Sequence, residues 1–144
     1  MTPNEVIAYL NKIGEIKQNG LVMTRPTLLR YENQNLISKP QRGGNGRGAG
    51  RWTDYPRGTV EQAFAAWCLM HGNYGDMDEV AFFGKPPKLT PAAISNIRIE
   101  AANTSNQRVQ FETTSSVLSF IWGFSYIYRR LTVQARKILR EIEK

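Results

Sequence analysis

Apolar residues recur along the chain in four short helical runs and one longer seam, separated by stretches rich in glycine, proline and asparagine. Val6, Leu10, Ile13 and Ile16 fall at helical spacing behind Thr2-Pro3-Asn4-Glu5, a capping box with proline at the first helical position. A first helix is therefore expected to about Lys17, with Asn19-Gly20 as its break. A second, short helix opens at Thr24, which can cap, with Pro26 in the first turn and Leu28 and Leu29 as a narrow apolar face. At about 100° per residue, Thr27, Arg30, Tyr31 and Gln34 share the opposite face. Thr59-Val60-Glu61-Gln62 offers a further capping box, and Val60, Phe64 and Trp67 supply a stripe that ends near Gly72. Past the loop Asn73-Tyr74-Gly75, Asp76 to Phe83 reads as a short acidic helical turn, and Gly84-Lys85-Pro86-Pro87 as a boundary. Thr90-Pro91 starts a helix through about Ala102, with Ile94, Ile97 and Ile99 partly in phase, and Asn103 to Gln107 is another break.

The seam is the longest regular pattern. Val117, Ile121, Phe124, Tyr128, Leu131, Ala135, Ile138 and Ile142 alternate by four and three, which is heptad spacing. Leu118, Phe120, Trp122 and Tyr126 widen its first half, so burial against the body of the protein is expected there. Gly123 marks a kink or a close contact. From Tyr128 onward the seam narrows, and Tyr128, Leu131, Ala135, Ile138 and Ile142 are the expected dimerisation contacts. The competing reading is a helix folded back on its own chain.

Between the second and third helices, Lys39 to Arg51 holds five glycines and a proline, hence a β-hairpin or a mobile loop in place of a helix. Arg42, Arg47 and Arg51 are interleaved with the glycines, and Trp52 and Tyr55 close the segment. Glycine lets backbone approach a phosphate, and a guanidinium fork binds one bidentately. Gly43-Gly44-Asn45-Gly46-Arg47-Gly48 lacks the Gly-Lys-Ser/Thr ending of a nucleotide-binding loop. A short polar helix followed by a basic, glycine-rich hairpin is the order of a winged helix-turn-helix. The candidate DNA-binding residues are Arg25, Thr27, Arg30, Tyr31, Gln34, Lys39, Arg42, Arg47 and Arg51.

The run Thr27-Leu28-Leu29-Arg30-Tyr31-Glu32-Asn33-Gln34-Asn35-Leu36-Ile37 resembles the recognition helix of the MerR-type (mercury-resistance regulator) winged-helix family, roughly T-L-R-Y-Y-E-x-x-G-L-L. Thr27, Leu28, Tyr31, Glu32 and Leu36 match, and Ile37 matches conservatively; Pro40, Arg42 and Arg51-Trp52-x-x-Tyr55 fill the family's wing positions. Leu29 stands where the family has arginine, and Asn35 where it has the turn glycine. The resemblance covers about half the chain. It implies transcription regulation by a dimer whose C-terminal helices form an antiparallel coiled coil. Winged helices of this lineage also occur in phage excisionases and small terminase subunits, which implies DNA architecture as the alternative.

Composition sharpens this picture. The chain of 144 residues carries 19 Lys+Arg against 12 Asp+Glu, and eight of those bases lie between Lys17 and Arg57, opposed by Glu32 and Asp54 alone. Charge so concentrated favours a polyanionic partner. The single cysteine, Cys68, rules out an internal disulfide and fits a reducing cytoplasm; the lone His71 leaves no zinc constellation and no catalytic triad. Cys68 is expected to pack and His71 to face the end of its helix dipole. No signal peptide or membrane span is visible, so a cytoplasmic protein without cofactor is expected. The reading is a mainly α protein with a small β wing: a winged helix-turn-helix over residues 1–72, then a helical extension over 73–144 that ends in the heptad-patterned helix. Its expected work is sequence-specific binding of double-stranded DNA, not catalysis, with any small-molecule effector left open.

Overall fold

One helix, α3 (Thr59–His71), is buried on nearly every side in the computed structural model of the chain. Thr59, Val60, Leu69 and all residues from Ala63 to Cys68 are shielded from solvent. A helix this apolar all round has to lie among other elements. Around it are α1 (Pro3–Ile16), α2 (Arg25–Asn33), α4 (Pro91–Thr104) and α5 (Ser116–Ile142), with the antiparallel pair β1 (Gln41–Gly44) and β2 (Arg51–Asp54) between α2 and α3 in sequence. The structure describes residues 1–16, 20–44, 51–74, 86–104 and 116–143, without the side chains of 104 and 116–122. The acidic turn expected over Asp76 to Phe83, the Gly84-Lys85 half of the expected boundary, Arg47, and most of the break at 103–107 lie outside them.

The start of α1 forms as its sequence dictates. Thr2 Oγ1 accepts from Glu5 N and donates to Glu5 Oε1, each at 3.2 Å. Val6, Leu10 and Ile13 face the core, but Ile16 is exposed. Gly14 has a specific cause: a Cβ there would sit 2.2 Å from the carbonyl oxygen of Leu21, so only glycine lets the returning chain approach. Asn11 then pins that chain, its Oδ1 accepting from Met23 N at 2.6 Å and its Nδ2 donating to Met23 O at 3.2 Å. The extended Thr24 caps α2 through Thr27 N. At the other end, Leu36 N donates to Tyr31 O at 2.9 Å and Asn35 N to Glu32 O at 3.0 Å, a Schellman closure with Asn35 left-handed at φ 60°.

The capping box expected at Thr59 does not form. Gly58 occupies the cap position at φ 92°, Thr59 is already inside the helix and buried, and its hydroxyl donates to Pro56 O at 2.8 Å. Thr90 does cap α4, accepting from Ala93 N at 3.3 Å. Ile94 and Ile97 of that helix are buried, and Ile99 faces solvent.

Helix α5 packs along α3 and α4 of its own chain and also meets α1. Phe124, Tyr128, Leu131, Ala135 and Ile138 are buried there, and Ile142 lies partly buried against the same core. The described seam residues from Phe124 to Ile138 are buried as heptad spacing implies, and they pack against their own chain, which is the competing reading. The surface expected to join a second copy is used up within the chain, because α3 and α4 offer the apolar faces the seam needs. A Cβ at Gly123 would meet nothing within 4 Å among the described residues, so the close contact expected there is absent. One apolar cluster runs from Val6 to Ile138, and the division expected after residue 72 cuts through it.

This placement sets the effect of a charge in the seam. Leu131 is 1% exposed, so Leu131→Glu buries an uncompensated carboxylate and lowers stability by about 3–5 kcal/mol. Helical circular dichroism during urea unfolding should record a lower midpoint. A Leu131→Glu chain as stable as the unmodified protein, but reduced in mass by sedimentation, would return the seam to a partner subunit.

Candidate nucleic-acid interface

The only acid on α2, Glu32, is turned inward and 5% exposed. Its carboxylate receives both arms of Arg42: Nη2 donates to Oε1 at 2.6 Å and Nη1 to Oε2 at 2.8 Å. Tyr55 OH donates to Oε1 at 3.0 Å, and Lys39 Nζ donates to the Glu32 carbonyl at 3.3 Å. The strand β1, the exit from β2 and the linker between α2 and β1 therefore converge on one residue of α2. The Arg42 guanidinium, helped by Tyr55 and Lys39 and opposed by burial, holds the Glu32 carboxyl below its ordinary range. Burial and the facing carboxylate push the Tyr55 hydroxyl up to about 12.

The hairpin is in register with Gln41 opposite Asp54, Arg42 opposite Thr53, Gly43 opposite Trp52 and Gly44 opposite Arg51. Alternation sends Arg42 to the α2 side and Trp52 to the other. The Trp52 indole lies across Gly43, where a Cβ would come within 2.5 Å of its Cζ2, and its outer side is open to solvent. Asp54 Oδ1 accepts from Met1 N at 2.6 Å, and Tyr55 N donates to Met1 O at 2.7 Å, which ties the hairpin exit to the start of α1.

The outward face of α2 differs from the expected one. Arg25, Pro26, Leu29, Arg30 and Asn33 are exposed, whereas Leu28, Tyr31 and Glu32 point inward. Tyr31 is 4% exposed, with its hydroxyl pushed up to about 12 by burial, so it is unavailable to a partner. Leu29, expected in the core beside Leu28, is 41% exposed. The true inward stripe is 28, 31 and 32, spaced i, i+3, i+4, which rotates Leu29 out. Thr27 and Gln34 are half-buried; Thr27 Oγ1 accepts from Thr24 Oγ1 at 2.9 Å and from Arg30 Nη2 at 3.3 Å. Of the expected wing cations, Arg51 is exposed, Lys39 is exposed with its amine on Glu32, and Arg42 is committed to Glu32. Arg25, Arg51 and Arg57 form no ion pair among the described residues.

A further anchor had no signal in the sequence. Asn35, at the C-terminal turn of α2, donates through Nδ2 to Ser95 Oγ at 2.8 Å. Arg98 returns two bonds, Nε to Asn35 O at 3.1 Å and Nη2 to Asn35 Oδ1 at 2.8 Å. Helix α4 thus grips the end of α2.

The chemistry elsewhere is plain. No cluster of three or more His, Cys, Asp or Glu is present among the described residues, and no described helix is long and apolar enough to cross a membrane. Cys68 is buried, its thiol pushed up to about 12 by desolvation. His71 stacks on Trp67 at 4.3 Å with Nδ1 2.9 Å from the Trp67 carbonyl. Comparison of the chain with protein-family models, curated proteins and solved structures finds no match.

The Glu32 cluster has a pH signature. A folded-state pKa below the ordinary 4.5 means that the unfolded chain takes up the proton first as pH falls. The stabilisation is complete above that ordinary value and is lost as pH drops through the lowered one. Arg42→Ala should cost about 1–3 kcal/mol at neutral pH, toward the lower end because the arginine is open to solvent, and should flatten this acid limb. Urea midpoints across the acid range test both. Equal acid dependence in the two proteins would detach Arg42 from Glu32.

Proposed function

We propose that this chain binds double-stranded DNA through α2 and the β1–β2 hairpin, as a winged helix-turn-helix does. The observation that carries the reading is the Glu32–Arg42–Tyr55 cluster, which fixes the hairpin to the inner side of a helix whose outer side holds Arg25 and Arg30. A helix is about 10–12 Å across with its side chains and fits a major groove about 12 Å wide, and the nine residues of α2 extend about 14 Å along it. In such a pose Arg25 and Arg51 neutralise phosphates beside the groove, and Arg30 is positioned for a base edge or a nearby phosphate. The MerR-type motif supports the same assignment, with Asn35 supplying the left-handed turn in place of glycine.

Between the two roles that the resemblance implies, burial of the seam favours DNA architecture. A dimeric regulator of that lineage joins through its C-terminal helices, and here Leu131, Ala135 and Ile138 are covered by the same chain. Selection of bound duplexes from a random pool separates the roles: inverted repeats indicate a symmetric regulator, direct-repeat arrays an architectural protein.

Salt dependence tests the interface itself. Each phosphate contact contributes about 0.9 to the slope of log affinity against log salt on B-form DNA. Arg25→Ala and Arg51→Ala should each reduce the slope by about that amount on every sequence. Fluorescence anisotropy of a labelled duplex at several salt concentrations measures it. An unchanged slope in the double variant removes the helix and hairpin from the interface.

A further inference from the structure

The outward stripe of α2 runs Arg25, Leu29, Asn33, one residue per turn, with Arg30 beside it. A single exposed leucine is ordinary on a protein surface; the company of this one is not. Its exposed neighbours on the helix are Arg25, Pro26, Arg30 and Asn33, two of them cations, and the helix's one acid is sequestered by Arg42. Whatever meets this face is anionic overall and still presents an apolar group to Leu29. The major groove offers one such group, the C5-methyl of thymine. The Asn33 side chain is exposed and forms no hydrogen bond among the described residues, leaving its carboxamide free for the adenine N6 and N7 pair, which an amide reads bidentately. Four residues advance a helix by about 6 Å, against about 3.4 Å per base pair. Leu29 and Asn33 therefore reach pairs about two steps apart.

We propose, building on the DNA-binding reading above, that Leu29 and Asn33 make α2 selective for A·T pairs, Leu29 by covering a thymine methyl and Asn33 by pairing with an adenine edge. Leu29 discriminates by burying a methyl, and Asn33 by two directed hydrogen bonds. Arg25 holds the helix in place through a phosphate and does not choose the sequence.

The test uses the full chain and the duplex it enriches from a random pool. Each thymine of that duplex is replaced singly by uracil, which removes only the methyl, and each adenine by 7-deazaadenine, which removes only N7. One uracil position should weaken binding about fourfold, the worth of one buried methyl. One deazaadenine position should weaken it on the order of tenfold. Leu29→Ala should bind the unmodified duplex about as weakly as the unmodified protein binds the uracil duplex, with no further loss on uracil; Asn33→Ala, which removes both bonds, should bind the unmodified duplex at least as weakly as the unmodified protein binds the deazaadenine duplex, with no further loss on deazaadenine. Both side chains are exposed, and unchanged thermal midpoints would confirm that the variants fold. An enriched duplex indifferent to both replacements overturns the assignment of the two residues and leaves DNA binding standing. Duplex retained without any sequence enrichment overturns it in the same way. Failure to retain any duplex overturns the DNA-binding reading itself and this inference with it.

Discussion

A carboxylate removed from water costs several kcal/mol unless its oxygens are met, and Glu32 is met by Arg42 and Tyr55. The geometry of the basic half of the molecule follows from satisfying that one group. Arg42 has to lie on the strand face that looks toward α2, which fixes the register of β1 against Gly43–Trp52 on the opposite face. Tyr55 has to enter the core at the hairpin exit, which brings the chain to Pro56 and the start of α3. The cluster therefore orients a hairpin of only two four-residue strands, too small to hold its own position. It also changes what Arg42 is for: a guanidinium held at 2.6 and 2.8 Å by a carboxylate serves the fold before it serves any phosphate.

Local features of the fold were legible in the sequence wherever the cause was local. The caps at Thr2, Thr24 and Thr90 involve residues three apart, and each forms. The cap expected at Thr59 fails because the Pro56–Gly58 turn brings Gly58 into the left-handed region and starts the helix one residue early. The 4–3 spacing of α5 picked out Phe124, Tyr128, Leu131, Ala135 and Ile138, all of them buried, since periodicity reports which face is apolar. It carries no information on whose surface covers that face. The candidate site shows the same limit: two adjacent leucines in a nine-residue helix leave its rotation open, and burial of Glu32 depends on an arginine ten residues away. That is why Tyr31 was expected outside and Leu29 inside, the reverse of what the helix does.

The halves of the chain meet at a second polar joint. Arg98 and Ser95 of α4 hold Asn35, which directly follows the cap of α2, and α4 packs in turn on α3 and α5. The C-terminal helices are thus braced against the end of the proposed recognition helix. Any displacement of α2 along its axis has to break the Asn35 bonds or carry α4 with it. Rigidity at this helix favours specific reading, because side chains meant to meet base edges have to arrive already positioned.

Asn35 also shows how a departure from a sequence pattern can be compensated. Glycine adopts a positive φ freely, whereas asparagine at φ 60° gives up on the order of 1 kcal/mol. Glycine has no side chain to offer α4. The Asn35 carboxamide donates to Ser95 and accepts from Arg98, two bonds each contributing about 0.5–1.5 kcal/mol. The balance is neutral or favourable, and it exists only because α4 lies beside the turn. An asparagine in the place of glycine is therefore coupled to the C-terminal helices: without α4 the same residue would carry its strain with no return.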